Sequence, residues 1–278
     1  MSLKNFILSL VENMVMQTNF VKSTDGTQIA YVTSGSGPPL IFAHGASGDK
    51  YTNTELQDLL KQKFTVTAYD RRGRGESSDH PDYNFLKEAD DLCAVVSTVN
   101  ENPVVFGISM GARIVLEMLR NPPDLSAAVL FEAPATNTPE KKFIAKLADV
   151  REELEKHGNE AATILHSKQF HGRSEDDIRE LQNDPHRWKL RVESFPITLR
   201  EMEAVHRDCL FNEAEYRSPG CPVELISGDA TLPFLKNSRD LMAALPFVRS
   251  TILPAGNHSL PVNKPLSLFK ALEKVLSE

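Results

Sequence analysis

Short apolar runs alternate with segments of helical period along most of this chain. Phe20-Val21-Lys22-Ser23 and Gln28-Ile29-Ala30-Tyr31-Val32 flank Asp25-Gly26, a hairpin signal. Gly35-Ser36-Gly37-Pro38-Pro39 then breaks the chain before Leu40-Ile41-Phe42-Ala43, whose lack of polar alternation suits a strand buried on both faces of a parallel sheet. A helix near Asn53 to Lys61, a strand over Phe64 to Tyr69 and a helix over Phe85 to Val99 follow. The strand Pro103-Val104-Val105-Phe106 leads through a tight turn into a helix carrying Ala112, Ile114, Val115, Met118 and Leu119, and Val129-Leu130-Phe131 is the next strand. A hairpin followed by strand and helix in alternation predicts an α/β sheet, mostly parallel and doubly wound, with helices on both faces.

After Pro134 the pattern changes. Residues 136–218 hold no strand, only charged segments of helical period at Glu140 to His157, Glu160 to Ser167, Ser174 to Gln182 and Thr198 to Glu215. That stretch is too long for a connection and reads as an inserted, all-helical subdomain. Alternation resumes with Val223-Glu224-Leu225-Ile226, a helix around Leu235 to Ala244, the strand Ser250-Thr251-Ile252-Leu253 and a helix from Pro265 to Leu276. The expected division is therefore 1–135 and 219–278 as the two parts of one sheet domain, with 136–218 between them.

Met1 to Gln17 carries Phe6-Ile7-Leu8 and Leu10-Val11, but Glu12 and Asn13 interrupt the apolar run and no small-residue cleavage site follows. It reads as an extra amphipathic helix lying on the body of the protein or on a second subunit of a homodimer. At 278 residues, 41% hydrophobic and 25% charged, the chain has the composition of a soluble globular protein. A net charge of −7 without a Lys or Arg block argues against nucleic acid or a membrane surface as partner. Cys93, Cys209 and Cys221, an odd number without metal-ligand spacing, read as reduced thiols and a cytoplasmic location.

The turn after Phe106 reads Gly107-Ile108-Ser109-Met110-Gly111. A serine at the apex of a strand-turn-helix sits in a strained conformation that presents its Oγ, and its flanks must be nearly free of side chain. A serine hydroxyl needs a base, ordinarily a neutral imidazole. Of the eight histidines, His157, His166, His171, His186 and His206 lie in the helical insert and read as solvated or partly buried; His80 reads as a turn residue. His258 follows a strand and the break Pro254-Ala255-Gly256, on the sheet edge where the serine turn also emerges, and is the expected base.

Taken together, His44-Gly45, the loop Asp70-Arg71-Arg72-Gly73-Arg74-Gly75-Glu76-Ser77, the serine turn and Gly256-Asn257-His258 resemble the capped α/β-hydrolases, from about residue 20 to the end, with the cap matching in position only. The resemblance implies a serine nucleophile, an acid that orients His258, and two backbone amides for the oxyanion, those of Met110 and Ala46. Many relatives keep the acid three residues beyond the glycine that ends the seventh strand; that position here is Thr231, and Asp229 is one residue beyond Gly228. Others, haloalkane dehalogenases among them, keep it at the end of the sixth strand, where this chain has Glu132. A glutamate ending an apolar strand is costly to desolvate without a partner. Glu132 is preferred over Asp229 as the acid; the competing reading pairs Glu132 with an arginine of the Asp70 to Arg74 loop or with a neighbouring helix.

The expected activity is hydrolysis of an ester, thioester, lactone or similar acyl bond of a small molecule through an acyl-enzyme. Carbon–carbon hydrolysis, perhydrolysis, or a ligand-binding or signalling protein with little turnover remain alternatives, the last motivated by Thr231. Ser109 at the apex, where epoxide hydrolysis or dehalogenation needs an aspartate, disfavours those reactions. No His-Glu-x-x-His, cysteine cluster or dinucleotide fingerprint is present, so neither metal nor cofactor is expected. Trp188, Phe170, Phe195 and Met202 are candidates for lining the space beneath the cap.

Overall fold

The computed structural model describes residues 17–277. The helix expected over Met1 to Gln17 therefore lies outside the described residues, apart from Gln17. β1 (Asn19–Lys22) and β2 (Gln28–Gly35) pair antiparallel, Val21 opposite Ile29, around the Asp25-Gly26 turn. They are followed by β3 (Pro39–Ala43), β4 (Thr65–Tyr69), β5 (Val104–Ile108), β6 (Ala127–Phe131), β7 (Val223–Gly228) and β8 (Val248–Leu253). These form one sheet in the order β1-β2-β4-β3-β5-β6-β7-β8, with every pair from β4 through β8 parallel.

α1 (Thr54–Leu60), α2 (Leu86–Val96) and α3 (Met110–Met118) make the early crossovers. Helices on both faces leave β5 and β6 no solvent, and all ten of their residues are buried. One face packs Val105, Ala128 and Leu130 against Leu92, Val95, Ile114 and Val115 of α2 and α3. The other packs Leu40, Phe42, Phe106 and Val129 against Leu56 and Leu60 of α1 and Leu268 and Leu272 of the last helix. From β3 the chain crosses one way to β4, and from β4 it returns past β3 to β5. The loops leaving the carboxyl ends of β3 and β5 thus diverge, opening the crevice where such sheets bind ligands.

The insert is helical throughout, apart from its connections: α4 (Lys141–His171), α5 (Glu175–Gln182), α6 (Pro185–Glu193) and α7 (Phe195–Asp208), with a short 3-10 turn at Glu213–Glu215. The two helices expected at 140–157 and 160–167 run into one another and are broken only at Gly158, whose φ of 84° departs from helix. α6 has no counterpart among the expected segments. Proline at its start and an Asp184 cap define it locally, but none of its residues is fully buried, so no apolar stripe announces it. Phe195, Leu199, Met202 and Val205 of α7 join the same apolar cluster as the sheet face below, which seats the cap. α8 (Pro233–Met242), the short α9 (Leu260–Asn263) and α10 (Pro265–Ser277) complete the chain.

The loop after β4 is more deeply built in than its charge suggests. Asp70 accepts from the Lys50 and Glu76 amides at 2.8 and 2.9 Å and pairs with Lys50 Nζ at 2.7 Å. Arg71, Arg72 and Arg74 are buried, not solvated. Arg72 forks onto Asp91 at 2.6 and 2.7 Å, and Arg71 onto Glu88 at 2.8 and 3.0 Å. Arg71 Nη2 also reaches Glu201 of α7 at 2.6 Å, and Arg74 bonds the same carboxylate oxygen. A fully buried charge is costly unless paired, so this cluster ties cap to core. It also removes one reading of Glu132, because these arginines spend their charge elsewhere.

Candidate active site

Ser109 caps α3 with φ 55° and ψ −117°, a conformation non-glycine residues rarely adopt. Its N–H donates to Phe131 O at 2.8 Å, and its carbonyl accepts from Arg113 at 2.9 Å. Close packing explains the flanking glycines. A Cβ on Gly111 would lie 2.1 Å from Ala43 O, and one on Gly107 2.6 Å from the Ala112 backbone. The helix therefore starts hard against the end of β3. Because the Ser109 carbonyl points along the helix, the Met110 N–H of the same trans peptide points the opposite way, out of the helix N-terminus where it has no intrahelical partner.

The β3 loop is oriented by buried polar groups. Gly45 O accepts from His44 Nδ1 at 2.8 Å and Arg71 Nη1 at 3.4 Å, while His44 Nε2 accepts from the Arg71 amide at 3.3 Å. Burial, then the charges of Arg71 and Arg74, hold the His44 pKa well below the ordinary imidazole range, so the ring is neutral and serves as donor and acceptor at once. With the Gly45 carbonyl turned inward, the Ala46 N–H of that peptide is turned away from it. A Cβ on Gly45 would sit 3.5 Å from Ser109 Cβ, so the loop borders the serine at Gly45. Ala46 O is pinned by Arg74 at 2.6 and 3.0 Å and by Thr198 of the cap at 3.1 Å.

At the other end of the sheet edge, His258 Nδ1 lies 2.7 Å from Glu132 Oε2. Glu132 is buried at the end of β6 with φ 49°, and its second oxygen accepts from the Gly228 amide at 3.0 Å. The carboxylate is thus satisfied on both oxygens, which answers its desolvation. Asp229 is exposed, its amide bonded to Leu253 O at 3.2 Å, and the contact to His258 is made by Glu132 instead. Thr231 is buried with its hydroxyl unpartnered. Gly228 allows the loop its approach: a Cβ there would fall 2.0 Å from Gly256 O.

A cavity of about 770 Å³ lies between this edge and the cap, lined on the sheet side by Ala46, Ser109, Met110 and His258. Of the predicted lining residues, Phe170 and Met202 face it; Phe195 is buried in the core, and Trp188 bonds Glu160 at 2.9 Å away from it. Three insert histidines expected to be solvated or partly buried, His166, His171 and His206, line the cavity, with Phe143, Arg173 and Arg191. The His171 ring lies nearly parallel to that of His258 with centroids 6.5 Å apart, and His166 meets His171 edge-on at 5.0 Å. Single side chains on amphipathic helices carry no mark of which face meets the cleft, so sequence reasoning passed over them. Among the described residues no group of acids, histidines or cysteines is arranged to hold a metal ion, and no helix is long and apolar enough to cross a membrane.

This chain is 31% identical over 112 residues to an uncharacterized hydrolase, YraK, of Bacillus subtilis, across 38% of its own length and 41% of that protein's. It is 33% identical over 99 residues to a 2-(acetamidomethylene)succinate hydrolase of Mesorhizobium japonicum, across 34% and 35% of the two lengths. The alignable stretches thus span well under half of these relatives. An alpha/beta hydrolase from Sphaerobacter thermophilus superposes with a TM-score of 0.75 at 26% identity, covering 92% of this chain and 99% of that one. The strand order, the serine turn and a family model matching residues 40–271 agree: this chain belongs to the alpha/beta hydrolase family.

Proposed function

We propose that the protein is a serine hydrolase that cleaves an ester, thioester, lactone or similar acyl bond of a small molecule through an acyl-enzyme. The observation that carries the reading is the 2.7 Å contact between His258 Nδ1 and Glu132 Oε2, made on the cavity that Ser109 lines. A carboxylate on Nδ1 keeps the proton there in the resting ring and leaves Nε2 free to accept one. Ser109 Oγ attacks the carbonyl carbon and its proton passes to Nε2. The imidazolium so formed is stabilised by Glu132, and the carbonyl oxygen, now negative, is met by the amides of Met110 and Ala46. When the tetrahedral adduct collapses, the carbon–leaving group bond breaks and the leaving group takes the proton from Nε2. Water then repeats the sequence: it loses a proton to His258 as it attacks the Ser109 acyl group, and when the Oγ–acyl bond breaks His258 returns that proton to Oγ, releasing the acid and the free serine.

The non-catalytic alternative drew on the missing acid after β7. Glu132 supplies a carboxylate to the ring from β6, and that motive lapses. The deciding experiment is active-site labelling with a fluorophosphonate. Labelling of the wild type, lost in Ser109→Ala, is expected; a folded wild type that takes up no probe and turns over no ester overturns the reading.

A further inference from the structure

Arg173 and Arg191 line the cavity from the cap, and neither guanidinium makes an ion pair or donates a hydrogen bond among the described residues. Both are half-buried, whereas the fully buried arginines, Arg71, Arg72, Arg74 and Arg113, all have acceptors. Arg173 Nε is buried without an acceptor, and the Nδ1 of His171 on the same wall has no hydrogen-bond partner. Native proteins leave few such atoms unpaired, and each one asks what completes it.

The nearest acids do not. Asp177 is engaged by the Ser174 amide and hydroxyl, both at 2.7 Å, and Glu180 is exposed. Of the acids on the cavity wall, Glu140 is exposed and Asp240 is paired with Arg239 at 2.8 Å. Around Arg191 the charges felt are Arg173 and Arg187, both positive; burial and then these neighbours push its pKa down to about 10. It still carries its charge near neutral pH. The two guanidinium charges reach the rings of His166 and His171, and the His171 ring lies beside that of His258, centroids 6.5 Å apart. The positive region therefore adjoins the reacting centre and lies inside the cavity.

We infer that the substrate carries an oxyanion, a carboxylate or a phosphate, on its non-reacting portion, bound by Arg173 and Arg191. Guanidinium forks recognise both groups bidentately. Two unpaired cations held together in a partly desolvated wall cost stability that a ligand anion recovers on binding. The inference rests on the Ser109 hydrolase reading for its reaction but not for its binding site, and the two are tested separately.

The first arm compares mono-4-nitrophenyl glutarate with 4-nitrophenyl pentanoate, which differ by a terminal carboxylate against a methyl group. Wild type is expected to favour the anionic ester at least tenfold in kcat/KM, and Arg173→Gln/Arg191→Gln to lose that ratio. A wild type that prefers the neutral ester overturns the inference. The second arm needs no turnover: Ser109→Ala is titrated calorimetrically with glutarate and with glycerol 3-phosphate. Binding of either, weakened at least tenfold by adding Arg191→Gln, supports the site and tells carboxylate from phosphate. Binding of neither, or binding indifferent to Arg191→Gln, overturns it. Glutarate binding in a protein whose Ser109 takes no fluorophosphonate would sink the hydrolase reading and leave the anion site standing. Melting temperature separates a binding arginine from a structural one. Arg191→Gln is expected to hold or raise it, and a clear fall with the ester ratio unchanged overturns the inference.

Discussion

Glu132 and His258 face one another across 126 residues of sequence, with Oε2 of one 2.7 Å from Nδ1 of the other. Both oxygens of the glutamate are committed, the second to the Gly228 amide at 3.0 Å, so its orientation is fixed from two sides. Glu132→Gln keeps the shape but offers an amide whose oxygen and nitrogen must share those two donors, and the ring tautomer is no longer enforced. Ester turnover is expected to fall on the order of 10⁴-fold. Asp229→Asn, at an exposed position, is expected to change it by less than about threefold. Steady-state kcat for the two variants checks the assignment, and equal losses would overturn it.

Gly228→Ala tests how the His258 loop is seated. The new Cβ would meet Gly256 O at 2.0 Å, backbone against backbone, so no rotamer relieves it. The expected result is a loss of roughly 1–3 kcal/mol of stability with turnover falling further than stability explains, measured by urea unfolding beside kcat.

Glu201→Gln should loosen the cap. Arg71 and Arg74 both use this buried carboxylate, and Arg74 also pins Ala46 O. Removing one partner of a buried ion pair costs about 3–5 kcal/mol. Denaturant unfolding is expected to show that loss; a midpoint like that of wild type would mean the cluster does not anchor the cap.

Acid should destabilise the cap side of the cavity. Burial, followed by Arg191 and Arg173, pushes the His166 pKa down to about 3, against about 6.5 in the unfolded chain. Between those values the unfolded state holds a proton the folded state refuses, so stability is full above about pH 6.5 and declines as pH falls. The slope from this one residue is up to roughly 1.4 kcal/mol per pH unit. His166→Phe should flatten it in urea titrations between pH 6.5 and 4.5, and an unchanged slope would refute the assignment.

Much of this arrangement is legible along the chain because its signals are local. Val104 to Ile108 has no polar position, Gly107 and Gly111 flank Ser109, and Gly256-Asn257-His258 follows a strand. Those features predict the sheet, the serine turn and a histidine on the same sheet edge. The α6 helix was missed because its residues stay partly exposed, and His166, His171, Arg173 and Arg191 carry no local mark of facing the cleft.

The amino-acid order alone thus determined the alternating sheet, the helical insert and the serine turn, since period and turn chemistry are written within a dozen residues. Only the tertiary structure shows which of Glu132 and Asp229 lies against the His258 ring. That choice depends on where the ends of β6, β7 and β8 come to lie and on the close passage of Gly228 by Gly256, distances that no spacing in the sequence encodes.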